Sequence, residues 1–256
     1  MIELALEFTQ WEVSDGVGRL ILKRPPLNVV NIAMLRELAA ALEVAASETA
    51  LRVLVLRAEG RMFSAGVDVA DHTADKVGEM IPLFDRVCLA LADFPAPTLA
   101  VVHGHALGGG CELALCCDLI LAAEGANFGQ PEIKLATVAP VAALRLPGLV
   151  GYRRAAEMLF LGDTVNAVEA ARIGLINRAV PASELDQAVE GYVSKLRALS
   201  AAALRVCKRA ARFGAEGWAN LPAMEKLYLG DLMSTEDAYE GVNSFIEKRA
   251  PVWRNK

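Results

Sequence analysis

Two glutamates and three consecutive glycines share the segment His103–Glu132. Gly108, Gly109 and Gly110 stand at the mouth of an apolar helix, Glu112 follows two residues later, and Glu132 closes the turn Gly129-Gln130-Pro131-Glu132. Glycine lets another molecule approach the backbone closely, and the first N–H groups of a helix have no intrahelical partner. Such a place can hold an oxygen that gains negative charge, with two carboxyls nearby in sequence to move protons. The combination points to an enzyme. Each part also has a plainer use: glycines serve tight strand-to-helix turns, and a carboxyl in a first helical turn complements the helix dipole. The spacing after Gly104 is not the dinucleotide fingerprint, and no Lys-Ser/Thr pair marks a phosphate loop.

A second loop offers the same opportunity. Met62-Phe63-Ser64-Ala65-Gly66-Val67-Asp68 follows the apolar run Val53–Leu56 and has small residues where a ligand could meet the backbone. Both loops leave expected parallel strands, so they belong at one carboxyl edge of a sheet, where open α/β proteins bind ligands. One N–H from each would make a pair of donors for an oxyanion. Glu112 and Glu132 then fit a general acid/base pair. His103 and His105 are secondary candidates for a base, and no Ser-His-Asp set has a local signature.

The rest of the chain must position these loops. Its 256 residues suit an α/β domain with a small appendage, and 54% hydrophobic residues imply a well-buried core rather than disorder. A net charge of −5 argues against a nucleic-acid binder, although a local pair such as Lys208-Arg209 could meet a small anion. The N-terminus lacks the basic and apolar regions of a signal peptide, and no window is apolar enough to span a bilayer. The five cysteines read as reduced core thiols rather than disulfides or metal ligands. A cytoplasmic, membrane-free and metal-free protein is expected.

Alternation around Ser14-Asp15-Gly16 predicts a strand pair, Trp11–Val13 and Gly18–Leu22. Leu35, Leu38, Ala39 and Leu42 predict a helix over Ile32–Ala46. Arg52–Arg57, Thr98–Val102 and Asp118–Ala122 predict buried strands of a mostly parallel sheet, with a helix from Gly108 to Cys117. Helices are expected at Arg153–Leu161, Ala167–Ile173, Leu185–Ala198, Ala201–Phe213, Met224–Leu232 and Asp237–Lys248.

Taken together, the motifs resemble the crotonase, or enoyl-CoA hydratase/isomerase, superfamily over nearly the whole chain. Arg24-Pro25-Pro26-Leu27-Asn28 resembles its first coenzyme-A loop, Phe63–Asp68 and Ala106–Glu112 its two oxyanion loops, Phe128–Glu132 its second glutamate segment, and Phe245–Arg249 its terminal helix motif. The resemblance implies an α/β fold, a spiral of ββα units with a helical trimerisation region. It implies an acyl-CoA-binding core over 1–195, an oligomerisation region over 196–256, and a homotrimer or hexamer. It also implies that Val67 and Gly110 N–H groups polarise a thioester carbonyl while Glu112 and Glu132 handle water and proton. Arg24, Pro26, Leu27, Ala65, Gly66, Asp68, Val69, Gly109, Phe245 and Lys248 would hold the acyl-CoA. No cofactor is implied, because coenzyme A belongs to the substrate.

Departures from the usual pattern fall around the acyl group. Thr137–Ala143 is apolar where hydratases carry a glycine-rich stretch, so Val138, Pro140 and Val141 are expected to wall a compact acyl pocket. The first loop is one residue short, and Ala70-Asp71 replaces a lysine often found after the first oxyanion loop. This combination resembles the hydratases acting on cyclohexa-1,5-diene-1-carbonyl-CoA in anaerobic aromatic degradation. A straight-chain hydratase or an isomerase is the alternative, and two glutamates favour hydration. A non-catalytic RNA-binding protein on the same fold is the remote one.

Overall fold

The computed structural model describes residues 6–214 and 225–256, the side chains of Phe213 and Phe245 excepted. Strands β1 (Thr9–Ser14) and β2 (Val17–Leu22) form the expected antiparallel hairpin, with Ser14 opposite Val17. Asp15 and Gly16 both take positive φ, 50° and 74°, the geometry of a two-residue turn whose twist suits its strands. Helix α1 (Ile32–Ser47) starts where Asn31 accepts the Met34 N–H at 2.9 Å and buries Leu35, Leu38, Ala39 and Leu42.

Strands β3 (Val53–Ala58), β4 (Thr98–Val102), β6 (Leu119–Ala123) and β9 (Arg178–Val180) extend the hairpin in parallel, in the order β1-β2-β3-β4-β6-β9. Alternate residues serve two cores. Leu54, Leu56, Ala100 and Val102 join the larger cluster with α1, α2 (Val77–Ala92) and α3 (Gly109–Leu115). Val53, Val55, Leu99 and Val101 meet Leu185, Val189 and Val193 of α7 (Leu185–Arg197). Both faces are covered, which is why these strands read as continuous apolar runs.

A second sheet, β5 (Ala106–Leu107), β7 (Asn127–Gly129) and β8 (Thr164–Asn166), was not expected. Its strands have two or three residues each, too few to show a period. Helix α2 was also unforeseen, with Pro82 inside it and no side-chain cap at its start. So was α4 (Pro140–Val150), which takes up most of the apolar stretch expected to wall the acyl pocket. Helices α5 (Tyr152–Leu161), α6 (Ala167–Arg172) and α8 (Ala201–Gly214) match expectation within a residue or so.

The expected division between 195 and 196 falls inside α7, which ends at Arg197. The segment beyond it is tied to the core by Lys208 Nζ, 2.7 Å from Asp118 and 3.2 Å from the Ala96 carbonyl, and by Arg52 Nε donating to Leu199 O at 3.0 Å. Leu204, Val206 and Leu227 are buried within the chain itself, whereas Leu229 is exposed. Of the helix expected at Met224–Leu232, Met224 lies outside the described residues and Leu227–Leu232 is π-helical. The last helix is Glu236–Glu247. Cys88, Cys111, Cys116 and Cys117 are buried as expected, but Cys207 is exposed. No helix among the described residues is long and apolar enough to cross a membrane.

Candidate active site

The loops after β3 and β4 meet at the carboxyl edge of the sheet. Ser64 N–H donates to His105 O at 3.2 Å and Leu107 N–H to Ser64 O at 3.0 Å, zipping the two segments together. Beyond that zipper the glycine backbone of one loop lies against the side chains of Ser64 and Val67 in the other. A Cβ on Gly110 would fall 2.5 Å from Ser64 Cβ, and one on Gly109 2.5 Å from Val67 Cγ2. Glycine is therefore required here by crowding, which the spacing in sequence could not reveal.

Neighbouring bonds orient Val67. Val30 N–H donates to Gly66 O at 2.9 Å and Asp68 N–H to Val30 O at 2.8 Å, so the Val67 N–H points away from Val30. It has no acceptor among the described residues, and the Gly110 N–H, in the first turn of α3, has none either. The Ser64 hydroxyl donates to Asn28 O at 2.7 Å and accepts the Gly66 N–H at 3.1 Å, which fixes the loop between them.

The segment 24–30 lies alongside. Ala65 N–H donates to Leu27 O at 2.9 Å, and Arg61 N–H to Pro26 O at 3.0 Å. Buried Asn28 accepts the Arg24 N–H and donates to Glu59 and Met62 carbonyls, holding the bend in place. Arg24 reaches Asp68 at 3.5 Å and Val29 O at 2.7 Å. Arg24, Pro26, Leu27, Ala65, Gly66, Asp68, Val69 and Gly109 thus form one neighbourhood. Lys248 is exposed just past the last helix, and the side chain of Phe245 lies outside the described residues.

Glu112 is 3% exposed, and its Oε1 accepts the Ala142 N–H from the first turn of α4 at 2.8 Å. Burial pushes its carboxyl up to about 7; the Ala142 N–H opposes this, and the charges of Glu132 and Asp85 add to it. Glu132 is half-buried, is likewise raised by burial, and has an Oε2 with no hydrogen-bond partner among the described residues. A Cβ on Gly108, whose φ is +53°, would lie 2.6 Å from Glu132 Oε1. Both carboxyls therefore border the glycine turn, and burial raises both above the ordinary carboxyl value.

The folded value for Glu112, about 7, lies above the ordinary 4.5, so the folded state binds this proton more tightly than the unfolded chain. That advantage is complete below pH 4.5 and lost as pH rises through about 7. Glu112→Gln, neutral throughout, is expected to gain on the wild type by on the order of 3 kcal/mol between pH 4.5 and 8. Urea unfolding at both pH values measures it, and a pH-independent difference would contradict the buried-acid assignment.

His103 and His105 are occupied otherwise. His103 Nε2 lies 3.0 Å from Gly60 O, and His105 Nδ1 accepts the Asn127 N–H at 3.1 Å, so each ties a loop down. The acyl-wall residues are divided: Val138 is 76% exposed, and Pro140 and Val141 are half-buried at the start of α4. Two residues near the pair were missed. His72 lies close enough for its charge to favour ionised Glu132, and Asp85 for its charge to act on Glu112. Neither has a sequence signal, because both arrive from turns of chain remote from the glutamates.

Comparison with known proteins identifies the family. Residues 12–256 match the family model described as enoyl-CoA hydratase/isomerase. The chain belongs to that family, with its crotonase fold, and is an enzyme of the hydro-lyase class. It is 37% identical to cyclohexa-1,5-dienecarbonyl-CoA hydratase of Thauera aromatica, over 100% of both chains. Identity to crotonyl-CoA hydratase of Syntrophomonas wolfei is 34%, covering 96% of this chain and 97% of the relative. The crystal structure of enoyl-CoA hydratase from Bacillus anthracis superposes with a TM-score of 0.91 at 30% identity, covering 98% of this chain and 100% of that one.

Proposed function

We propose that this enzyme adds water to cyclohexa-1,5-diene-1-carbonyl-CoA. One observation carries the hydratase reading: two carboxyls border a turn whose N–H donors, Val67 and Gly110, lack acceptors among the described residues. Hydroxide from water adds to the ring carbon β to the thioester carbonyl, and negative charge passes to the thioester oxygen. Val67 and Gly110 N–H groups stabilise that charge where it develops. A proton then reaches the far end of the diene, leaving the 6-hydroxycyclohex-1-ene-1-carbonyl thioester. Glu112 and Glu132 supply the base and the acid. Arg24, Pro26, Leu27, Ala65, Gly66, Asp68, Val69 and Gly109 hold the acyl-CoA, and the bound thioester needs no cofactor.

The ring substrate is supported by the full-length similarity to a cyclic dienoyl-CoA hydratase and by the apolar, half-buried Pro140 and Val141 at the start of α4. We take the working form to be a homotrimer or hexamer in the cytoplasm. Its support is exposed apolar surface: Leu144, Tyr152, Phe160 and Leu161 on α4 and α5, and Tyr239, Val242 and Ile246 along one stripe of the last helix. In that assembly Phe245 and Lys248 serve coenzyme A on a neighbouring protomer, and 196–256 is the oligomerisation region.

The test compares turnover of the cyclic dienoyl-CoA with crotonyl-CoA on enzyme sized by sedimentation at assay concentration. A kcat/KM at least about 10-fold higher for the ring is expected, a margin a shaped apolar pocket can supply. Preference for crotonyl-CoA would sink the ring assignment alone. A fully active monomer would sink the assembly.

A further inference from the structure

We propose that Asp71 is a positioning residue: its carboxylate clasps the turn after the Val67 loop to the first N–H of α1, and so fixes where the Val67 donor points. This deepens the hydratase reading above and rests on it. The segment Val30–Ile32 meets the loop at three rungs. Val30 N–H donates to Gly66 O at 2.9 Å and Asp68 N–H to Val30 O at 2.8 Å, one on each side of Val67. The third rung is a side chain: Asp71 Oδ2 accepts the Ile32 N–H at 2.9 Å. Ile32 opens α1, so its N–H has no partner inside the helix, and the Asn31 side chain already serves Met34. A carboxylate at that end also meets the positive pole of the helix dipole.

Little else holds this stretch. After Asp68 the chain makes one turn of 3-10 helix, Val69–Asp71, and runs on to the start of α2 at Val77. Val69 is 63% exposed, and Asp71 is the one buried residue between Val69 and Glu79. A segment that buries no apolar side chain gains little from packing, so its place against the core depends on its polar anchor. A buried carboxylate persists when it is paired and hydrogen-bonded, and here each oxygen serves a different element. While Oδ2 holds α1, Oδ1 lies 3.3 Å from Lys76 Nζ, which also reaches Ala70 O at 3.4 Å beside the entry of α2. Helix α2 in turn lays Phe84 against the other oxyanion loop: a Cβ on Gly109 would fall 3.2 Å from the ring. The clasp therefore lies three residues from the Val30 rung that orients Val67, at the junction of the elements that frame the donor.

The experiment pairs hydration kinetics of the full-length enzyme with the absorption of bound hexa-2,4-dienoyl-CoA, a conjugated thioester that shifts to the red when its carbonyl oxygen is hydrogen-bonded. The wild type is expected to give that shift. Asp71→Ala should lose most of it and lower kcat about 10- to 100-fold, less than outright removal of a donor, with KM within about threefold. Asp71→Asn, whose amide oxygen can still accept the Ile32 N–H, should restore the shift and bring kcat within about threefold of the wild type. Ile32→Pro opens the clasp from the other side. Proline suits the first helical position, and Asn31, at φ −100° and ψ 172°, already has the extended backbone that precedes proline. It should match Asp71→Ala, and the double variant should be no worse than either single one. Thermal unfolding shows that each variant is folded. A folded Asp71→Ala enzyme with wild-type shift and kcat overturns the proposal. So does a lowered kcat with an undisturbed shift, because Asp71 would then not act through the donor, and so do additive losses in the double variant. If the wild type itself gives no shift, the oxyanion reading fails and the proposal with it. If the wild type shifts and Asp71→Ala does too, only the role of Asp71 fails.

Discussion

Glu112→Gln and Glu132→Gln are each expected to lower kcat for hydration by about 10²–10⁴ while acyl-CoA affinity changes little. The substitution keeps shape and removes the proton. Glutamine at 112 can still accept the Ala142 N–H through its amide oxygen, so the first turn of α4 keeps its contact with α3. At 132 no partner is lost from Oε2, because none is present among the described residues. Loss of rate without loss of binding is therefore the signature of a missing acid or base rather than of a collapsed site. Single-turnover rates and acyl-CoA dissociation constants distinguish these outcomes. Near-wild-type hydration by either variant would remove that glutamate from the proton inventory.

The second large effect comes from Gly110→Ala. Its Cβ would fall 2.5 Å from Ser64 Cβ and 2.8 Å from Ser64 O, neither of which is the end of a flexible side chain. Ser64 cannot retreat easily, being bonded to Asn28 O, His105 O and the Leu107 and Gly66 N–H groups. The two loops must separate, and that displaces the Gly110 donor relative to the Val67 donor. Loss of one oxyanion donor ordinarily costs about 10²–10³ in kcat, and the same is expected here. Thermal unfolding run in parallel shows whether the chain is still folded. A folded Gly110→Ala enzyme with wild-type kcat would mean that this N–H does not face the reacting oxygen.

Much of this protein was legible before its structure. The hairpin at Ser14-Asp15-Gly16, the helix through Leu35, Leu38 and Leu42 and the three buried strands each announce themselves through local rules of period and turn chemistry. The family was readable too, because the two glycine loops and both glutamates occur in segments whose order along the chain is informative by itself.

Three features were decided only in three dimensions. The strands of two or three residues gain their stability from what they pack against, so their sequences carry little periodic signal; the helix at Val77–Ala92 does carry one in Met80, Phe84, Val87, Cys88 and Leu91, but Pro82 and an uncapped start obscure it. Val138 shows the same limit from the other side: an apolar residue next to a glutamate segment reads as pocket lining, yet folding leaves it 76% exposed. The protonation of the site is tertiary as well. Glu112 is driven to about 7 first by burial, which no neighbour in sequence dictates. Local sequence determined which residues could donate, accept or turn, because those properties reside in single side chains and short spans. Folding decided which of them meet and in what dielectric, because proximity and burial arise only when remote segments pack.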